Sequence, residues 1–203
     1  MSINRSIKAL AVLSSLLFST VINASLVTFD VYAKANSSSS NNGVNTGLSF
    51  NSGDLINGSV DPNDLWNAGP LPRWSNADGL ITNVYATGSD DSGETAGTQI
   101  GMLFGNMTQS GLSAPYGSLV GEINNIFFVL GTSFNVAAPD SGVLSLYYWD
   151  SNAYDNAEFI SVSIDNGLSA VPVPAAIWLL SSGLIGLIGM GRKPSKRGST
   201  SVK

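Results

Sequence analysis

Read for polarity alone, the chain has three parts. Two stretches almost free of charge stand near its ends, Ala9 to Ile22 and Ala175 to Gly191. Between them, apolar residues come in short bursts separated by polar turns. The bursts alternate or are β-branched, and they predict strands over Val27 to Ala33, Gly47 to Asn51, Asp54 to Val60, Ile81 to Thr87, Gln99 to Leu103, Ser118 to Ile123, Ile126 to Leu130, Thr132 to Val136, Val143 to Trp149 and Phe159 to Ile164. Turn residues punctuate them at Asn42-Gly43, Ser52-Gly53-Asp54, Pro139-Asp140-Ser141-Gly142 and Asn166-Gly167. The same region is rich in Gly, Asn, Ser and Asp and poor in Lys and Glu, a composition that disfavours helices. Many short strands with tight turns predict an all-β body, an antiparallel β-sandwich. Ser37 to Asn42 reads as a low-complexity loop and Ser89 to Gly97 as an acidic flexible one. Val143 to Tyr148 and Phe159 to Ile164 are expected to be neighbouring strands joined by a polar loop.

The ends read as addresses. Residues 1–24 carry a basic start (Arg5, Lys8), an apolar core, and the small-residue close Ile22-Asn23-Ala24, the layout of a secretory signal peptide rather than of an uncleaved anchor or a buried helix. The body is then 25–170. Ala175 to Gly191 is about 17 residues long, at the short limit of what crosses a bilayer, and is predicted to be a single C-terminal transmembrane helix. It shows no polar face, as a core helix of a globular domain would. Arg192, Lys193, Lys196 and Arg197 follow it directly and place the tail in the cytoplasm by the positive-inside rule, leaving the body outside.

Charge sharpens this division. The chain has 9 Lys plus Arg and 14 Asp plus Glu, for a formal net charge of −5, but every acid lies between Asp30 and Asp165, where only Lys34 and Arg73 oppose them. The body is therefore far more acidic than the chain as a whole. That charge repels polyanions, so no nucleic-acid partner is expected. The chain has no His and no Cys, which excludes Ser-His-Asp and Cys-His catalysis, His-ligated zinc and a disulfide framework. Asp90-Asp91 and Glu94 lie in a Ser/Gly-rich loop with no apolar shell to raise a carboxyl pKa, so they read as solvated surface rather than as a glycosidase pair. No enzyme activity is expected.

One loop can carry chemistry. Asp150-Ser151-Asn152-Ala153-Tyr154-Asp155-Asn156 offers Asp150, Asp155 and Asn156 together with backbone carbonyls, the oxygen set that calcium prefers. As a bare pattern it reads more readily as a polar hairpin, because Asx side chains bond their own backbone in loops. Trp66, Trp74 and Trp149 could each give an aromatic face to a sugar ring or fill the core.

Two resemblances bear on these features. Val171-Pro172-Val173-Pro174-Ala175, then the glycine-rich apolar run, then Arg192-Lys193, resembles the PEP-CTERM sorting signal processed by exosortases, in the variant with Val173 in place of glutamate. It implies an exosortase partner, export through the inner membrane of a Gram-negative-type bacterium, transient membrane anchoring, cleavage near the Pro motif, and delivery to the cell surface or extracellular matrix. In the body, Thr46 to Asp54, Gly69 to Trp74, Tyr116 to Ile123 and Ser141 to Tyr148 with the Asp-Asn loop together resemble, in that order, the LecA-type calcium-dependent galactose-binding lectins. On that resemblance Asp150, Asp155 and Asn156 fall on calcium-ligand positions, and the backbone carbonyl near Ala68 on the ligand from the first loop. Asp78 falls where a Gln contacts the sugar and Ser75 near a sugar-contacting His, while Trp149 replaces the Asn that usually precedes the ligand Asp. The resemblance implies an exported, calcium-dependent carbohydrate-binding module with extracellular polysaccharide as partner. The alternative is a structural surface or matrix protein of the same sorting class without ligand binding.

Overall fold

The computed structural model describes residues 25–165. The expected signal peptide, Pro motif, transmembrane helix and basic tail lie outside the described residues. Among the described residues no helix is long and apolar enough to cross a membrane.

The body consists of strands β1 (Leu26–Tyr32), β2 (Val44–Phe50), β3 (Leu55–Val60), β4 (Trp66–Asn67), β5 (Trp74–Ser75), β6 (Val84–Tyr85), β7 (Gln99–Gly101), β8 (Asn106–Gln109), β9 (Leu112–Pro115), β10 (Leu119–Ile123), β11 (Ile126–Val129), β12 (Ser133–Ala137), β13 (Gly142–Tyr148) and β14 (Phe159–Asp165), with one 3-10 turn at Ser38–Ser40. Two four-stranded antiparallel sheets form its layers, in the orders β1-β14-β3-β12 and β11-β10-β13-β2. Alternation along the strands builds the core between them. Ile160, Val162 and Ile164 of β14 point inward from the first sheet, and Leu144, Leu146 and Tyr148 of β13 from the second. At roughly 25 cal/mol per Å² of apolar surface removed from water, such inward rows are the main stabilising term of the sandwich.

A second core lies on the other face of β10 and β13. Val120, Tyr147 and Trp149 are buried there with Met107 and Ala114 of the β8–β9 hairpin. A third, smaller cluster joins Leu65, Trp74, Ala86 and Ile100 beneath the loops.

Several sequence expectations change. β13 and β14 are not neighbours. Both edges of β13 are taken by β10 and β2, and β14 pairs with β1 from Leu26↔Asp165 to Tyr32↔Phe159. The Asp-Asn loop is thus a crossover between sheets and not a polar hairpin. The strand expected over Ile81 to Thr87 shrinks to Val84–Tyr85. Ser37 to Asn42 is no slack loop, since Ser37 and Ser38 are buried and open the 3-10 turn. Ser89 to Gly97 is drawn into turns by Asp90, whose carboxylate accepts from Thr87 and Ser92. These bonds hold the Asp90 carboxyl well below the usual carboxylate range. Asp91 is engaged as well, accepting from the Leu65 N–H at 3.0 Å.

Candidate functional site

Asp150 follows the inward-facing end of β13, where the chain leaves one sheet for the other. Its backbone is anchored from a distance: the Ser38 hydroxyl donates to the Asp150 carbonyl at 3.1 Å and accepts from its N–H at 3.2 Å, and Ser37 donates to the same carbonyl at 3.2 Å. Short polar side chains then coil the loop. The Asn152 N–H donates to Asp150 Oδ1 at 3.3 Å, the Tyr154 N–H to Asn152 Oδ1 at 3.2 Å, and Asn152 Nδ2 to Asp155 Oδ1 at 2.7 Å. These turns bring the Asp155 carboxylate back toward Asp150.

The opposite wall is the β4–β5 hairpin, which joins Trp66–Asn67 to Trp74–Ser75. It was not expected from sequence, because strands of two residues leave no periodic signal. The loop between its strands carries a cis Leu71–Pro72 peptide and Gly69 at φ 119°. The Gly69 N–H donates to Asn67 Oδ1 at 2.6 Å, and Asn67 exchanges backbone bonds with Ala157, tying the hairpin to the Asp-Asn loop. The hairpin therefore sets the Ala68-Gly69 backbone against Asp155. A Cβ at residue 69 would collide with the Asp155 carboxylate and come within 3.4 Å of Arg73 Nη1; glycine leaves that space open.

The result is a cavity of about 160 Å³ between the two loops, lined by Ala68, Asp150 and Asp155 together with Arg73, Phe104, Tyr116, Ser151 and Asn152. Asp150 is 5% exposed and Asn156 4%. Burial pushes the Asp150 carboxyl up, against bonds from Asn152 and Asn156 that pull it down, and the nearby Asp155 charge adds to the rise. Asn156 Nδ2 donates to the Ala33 carbonyl at 3.1 Å, whereas its buried Oδ1 has no hydrogen-bond partner among the described residues. The Ala68 N–H donates to the Arg73 carbonyl at 3.0 Å, and the Ala68 carbonyl accepts no hydrogen bond among the described residues. Beneath lies Tyr148, wholly buried, with its ring edge-on to Trp66 at 4.4 Å and its hydroxyl also without a partner there.

Among the described residues no three or more His, Cys, Asp or Glu side chains stand close enough together to hold a metal ion by themselves. The cavity lining instead brings the carboxylates of Asp150 and Asp155 together with the Ala68 backbone, and Asn156, outside the lining, reaches the Asp150 carboxyl with its side chain. That is a set suited to a hard cation such as calcium, which takes six to eight oxygens or so in flexible geometry. The orphaned Asn156 oxygen and the buried charge of the Asp150 carboxylate are what such an ion would satisfy.

The other sequence-derived candidates fall elsewhere. Trp149 is fully buried in the second core, its Nε1 donating to the Met107 carbonyl at 3.2 Å, so it offers no face to a ligand. Trp66 and Trp74 are buried too, Trp66 Nε1 donating to the Gly117 carbonyl at 2.8 Å. Asp78 does not line the cavity; its carboxylate holds Thr132, accepting from the N–H at 2.7 Å and from the hydroxyl. Ser75 is buried, donating weakly to the Gly117 carbonyl at 3.4 Å. Conversely, Arg73, Phe104 and Tyr116 line the cavity without having been singled out. The Arg73 guanidinium stacks on the Phe104 ring at 4.8 Å, and Phe104 meets Tyr116 edge-on at 5.2 Å. One signal for Arg73 was present, its rarity as a cation in an acidic body.

No protein-family model matches the chain, and no curated protein matches it. One similar solved structure is described as "EclA N-terminal domain; PllA-like lectin"; the likeness has 22% sequence identity and a TM-score of 0.44, and covers 69% of this chain and 96% of that one.

Proposed function

We propose that the body is a calcium-dependent carbohydrate-binding module and not an enzyme. One observation carries the reading: Ala68, Asp150 and Asp155 converge on one small cavity, beside the buried Asn156 oxygen that lacks a partner. In this reading Asp150, Asp155, Asn156 Oδ1 and the Ala68 carbonyl hold the ion on one side. Bound calcium supplies open coordination positions for paired sugar hydroxyls. The crossover loop and the hairpin loop orient the ligand oxygens, and Phe104 and Tyr116 add an aromatic wall to the cavity.

The tail adds destination. We infer that the Val171-Pro172-Val173-Pro174-Ala175 motif and the basic Arg192-Lys193 pair route the protein to an exosortase, with the body delivered to the cell surface or matrix. Intact mass of the exported product tests this: loss of residues after the Pro motif supports it, and a full-length tail in the mature product argues against it.

The binding reading is tested on the purified protein by thermal unfolding with calcium and with chelator. Calcium at about a hundred times its Kd adds roughly 2.7 kcal/mol, a rise of several degrees in Tm. Asp150→Asn combined with Asp155→Asn removes that rise. A glycan array read with calcium and with chelator then separates a lectin from a purely structural surface protein, which retains nothing in either condition. Absence of a calcium response in the unmodified protein sinks the ion site, and release of reducing ends from a polysaccharide panel sinks the non-catalytic assignment.

A further inference from the structure

The acidic body has two cations, Lys34 and Arg73, against fourteen acids. Both stand at the crossover loop. Lys34 Nζ lies 5.3 Å from the centroid of the Tyr154 ring, on the loop itself, and Arg73 lines the cavity formed by Asp150 and Asp155. Neither makes an ion pair among the described residues; each is held against an aromatic ring instead. The Arg73 guanidinium lies over Phe104, and its N–H groups make no hydrogen bond among the described residues; a free planar fork of this kind recognises a carboxylate through two parallel bonds.

Charge decides which ligand fits. Without an ion, Asp150 and Asp155 outweigh Arg73 and repel an anion. With a divalent cation bound between them, the two carboxylates are neutralised and Arg73 leaves one excess positive charge in the pocket. A guanidinium that served only to balance the carboxylates would pair with one of them. Arg73 instead sits on Phe104, while the Asp155 carboxylate takes the Asn152 amide and abuts Gly69.

Resting on the calcium-dependent reading above, we propose that the site selects acidic sugars: the calcium position takes ring hydroxyls and Arg73 takes the carboxylate of a uronic acid. The ligand class is then a uronate-bearing polysaccharide, not a neutral galactan.

The test uses the full-length protein in detergent with calcium, and titrates two matched pairs by calorimetry: methyl galactoside against methyl galacturonide, and methyl glucoside against methyl glucuronide. Within each pair only the C6 group differs. The expected result is that at least one uronide binds about tenfold or more tighter than its neutral partner, as a charge-assisted bond provides, and that rising salt narrows the gap. Arg73→Gln is expected to bring the uronide down to the affinity of the neutral sugar, and Arg73→Lys to keep part of the preference. Equal binding within both pairs, or a preference that survives Arg73→Gln, overturns the proposal while leaving calcium-dependent sugar binding intact. A uronide preference that needs Arg73 but resists chelator upholds acidic selectivity and overturns the role of the ion. If no member of either pair binds, the proposal and the carbohydrate reading fall together.

Discussion

Asp64 shows how a single residue can work against the fold. Its carboxylate accepts from the Ser161 N–H at 2.7 Å, yet burial and the neighbouring charges of Asp91, Asp61 and Asp30 raise its carboxyl above the ordinary 3.8. A carboxyl raised by folding binds more protons folded than unfolded, so it costs stability above its folded pKa. The cost is relieved as pH falls toward the unfolded value. Asp64→Asn keeps an acceptor for Ser161 and removes the charge. It should therefore raise the unfolding free energy at pH 7 by on the order of 0.5 kcal/mol after solvent screening, seen as a higher Tm, and give no gain near pH 4. Thermal unfolding at the two pH values checks both halves. At this scale much of the candidate site was legible, because Asp150, Asp155 and Asn156 are oxygen donors in one loop and need no distant partner to be noticed. Arg73 was not, because its role depends on a hairpin whose strands are too short to leave a pattern.

Among elements, the Ser-rich segment after β1 carries more of the site than its composition suggested. Ser38 both donates to and accepts from the Asp150 backbone, whereas Ser39, its sequence neighbour, is exposed. Ser38→Ala should destabilise the body by about 1–3 kcal/mol, since it leaves a buried amide and carbonyl short of partners. Ser39→Ala should stay within about 0.5 kcal/mol, as surface substitutions do. Urea unfolding of the two variants provides the comparison. No local rule separates these serines; only the approach of the 3-10 turn to the end of β13 does. The same holds for β13 and β14, whose apolar alternation predicted both strands correctly but could not say that each would find its partners in a different sheet.

On the scale of the whole molecule, the first and last strands of the described body pair with each other. β1 and β14 run antiparallel over all seven residues, and β1 contributes Val31 to the core. A fragment of residues 25–165 is thus expected to unfold cooperatively, with sheet-rich circular dichroism. A fragment beginning at Lys34 lacks β1, uncovers one edge of β14, and should fail to show that transition.

What the sequence determined by itself was local: apolar alternation with β-branched residues set most of the strands, Gly, Asn and Asp set most of the turns, and the lack of helix formers set an all-β body. The division of charge and the uncharged end segments were also written there, as the expectation of an exported chain. The tertiary structure alone decided the pairings, because a strand's partner depends on which edges other strands leave free. It decided that Trp149 fills a second core beneath the β8–β9 hairpin. It also brought Ala68 and Arg73 to Asp150 and Asp155, across some eighty residues of chain, because two loops from opposite parts of the sequence close over the same end of the sandwich.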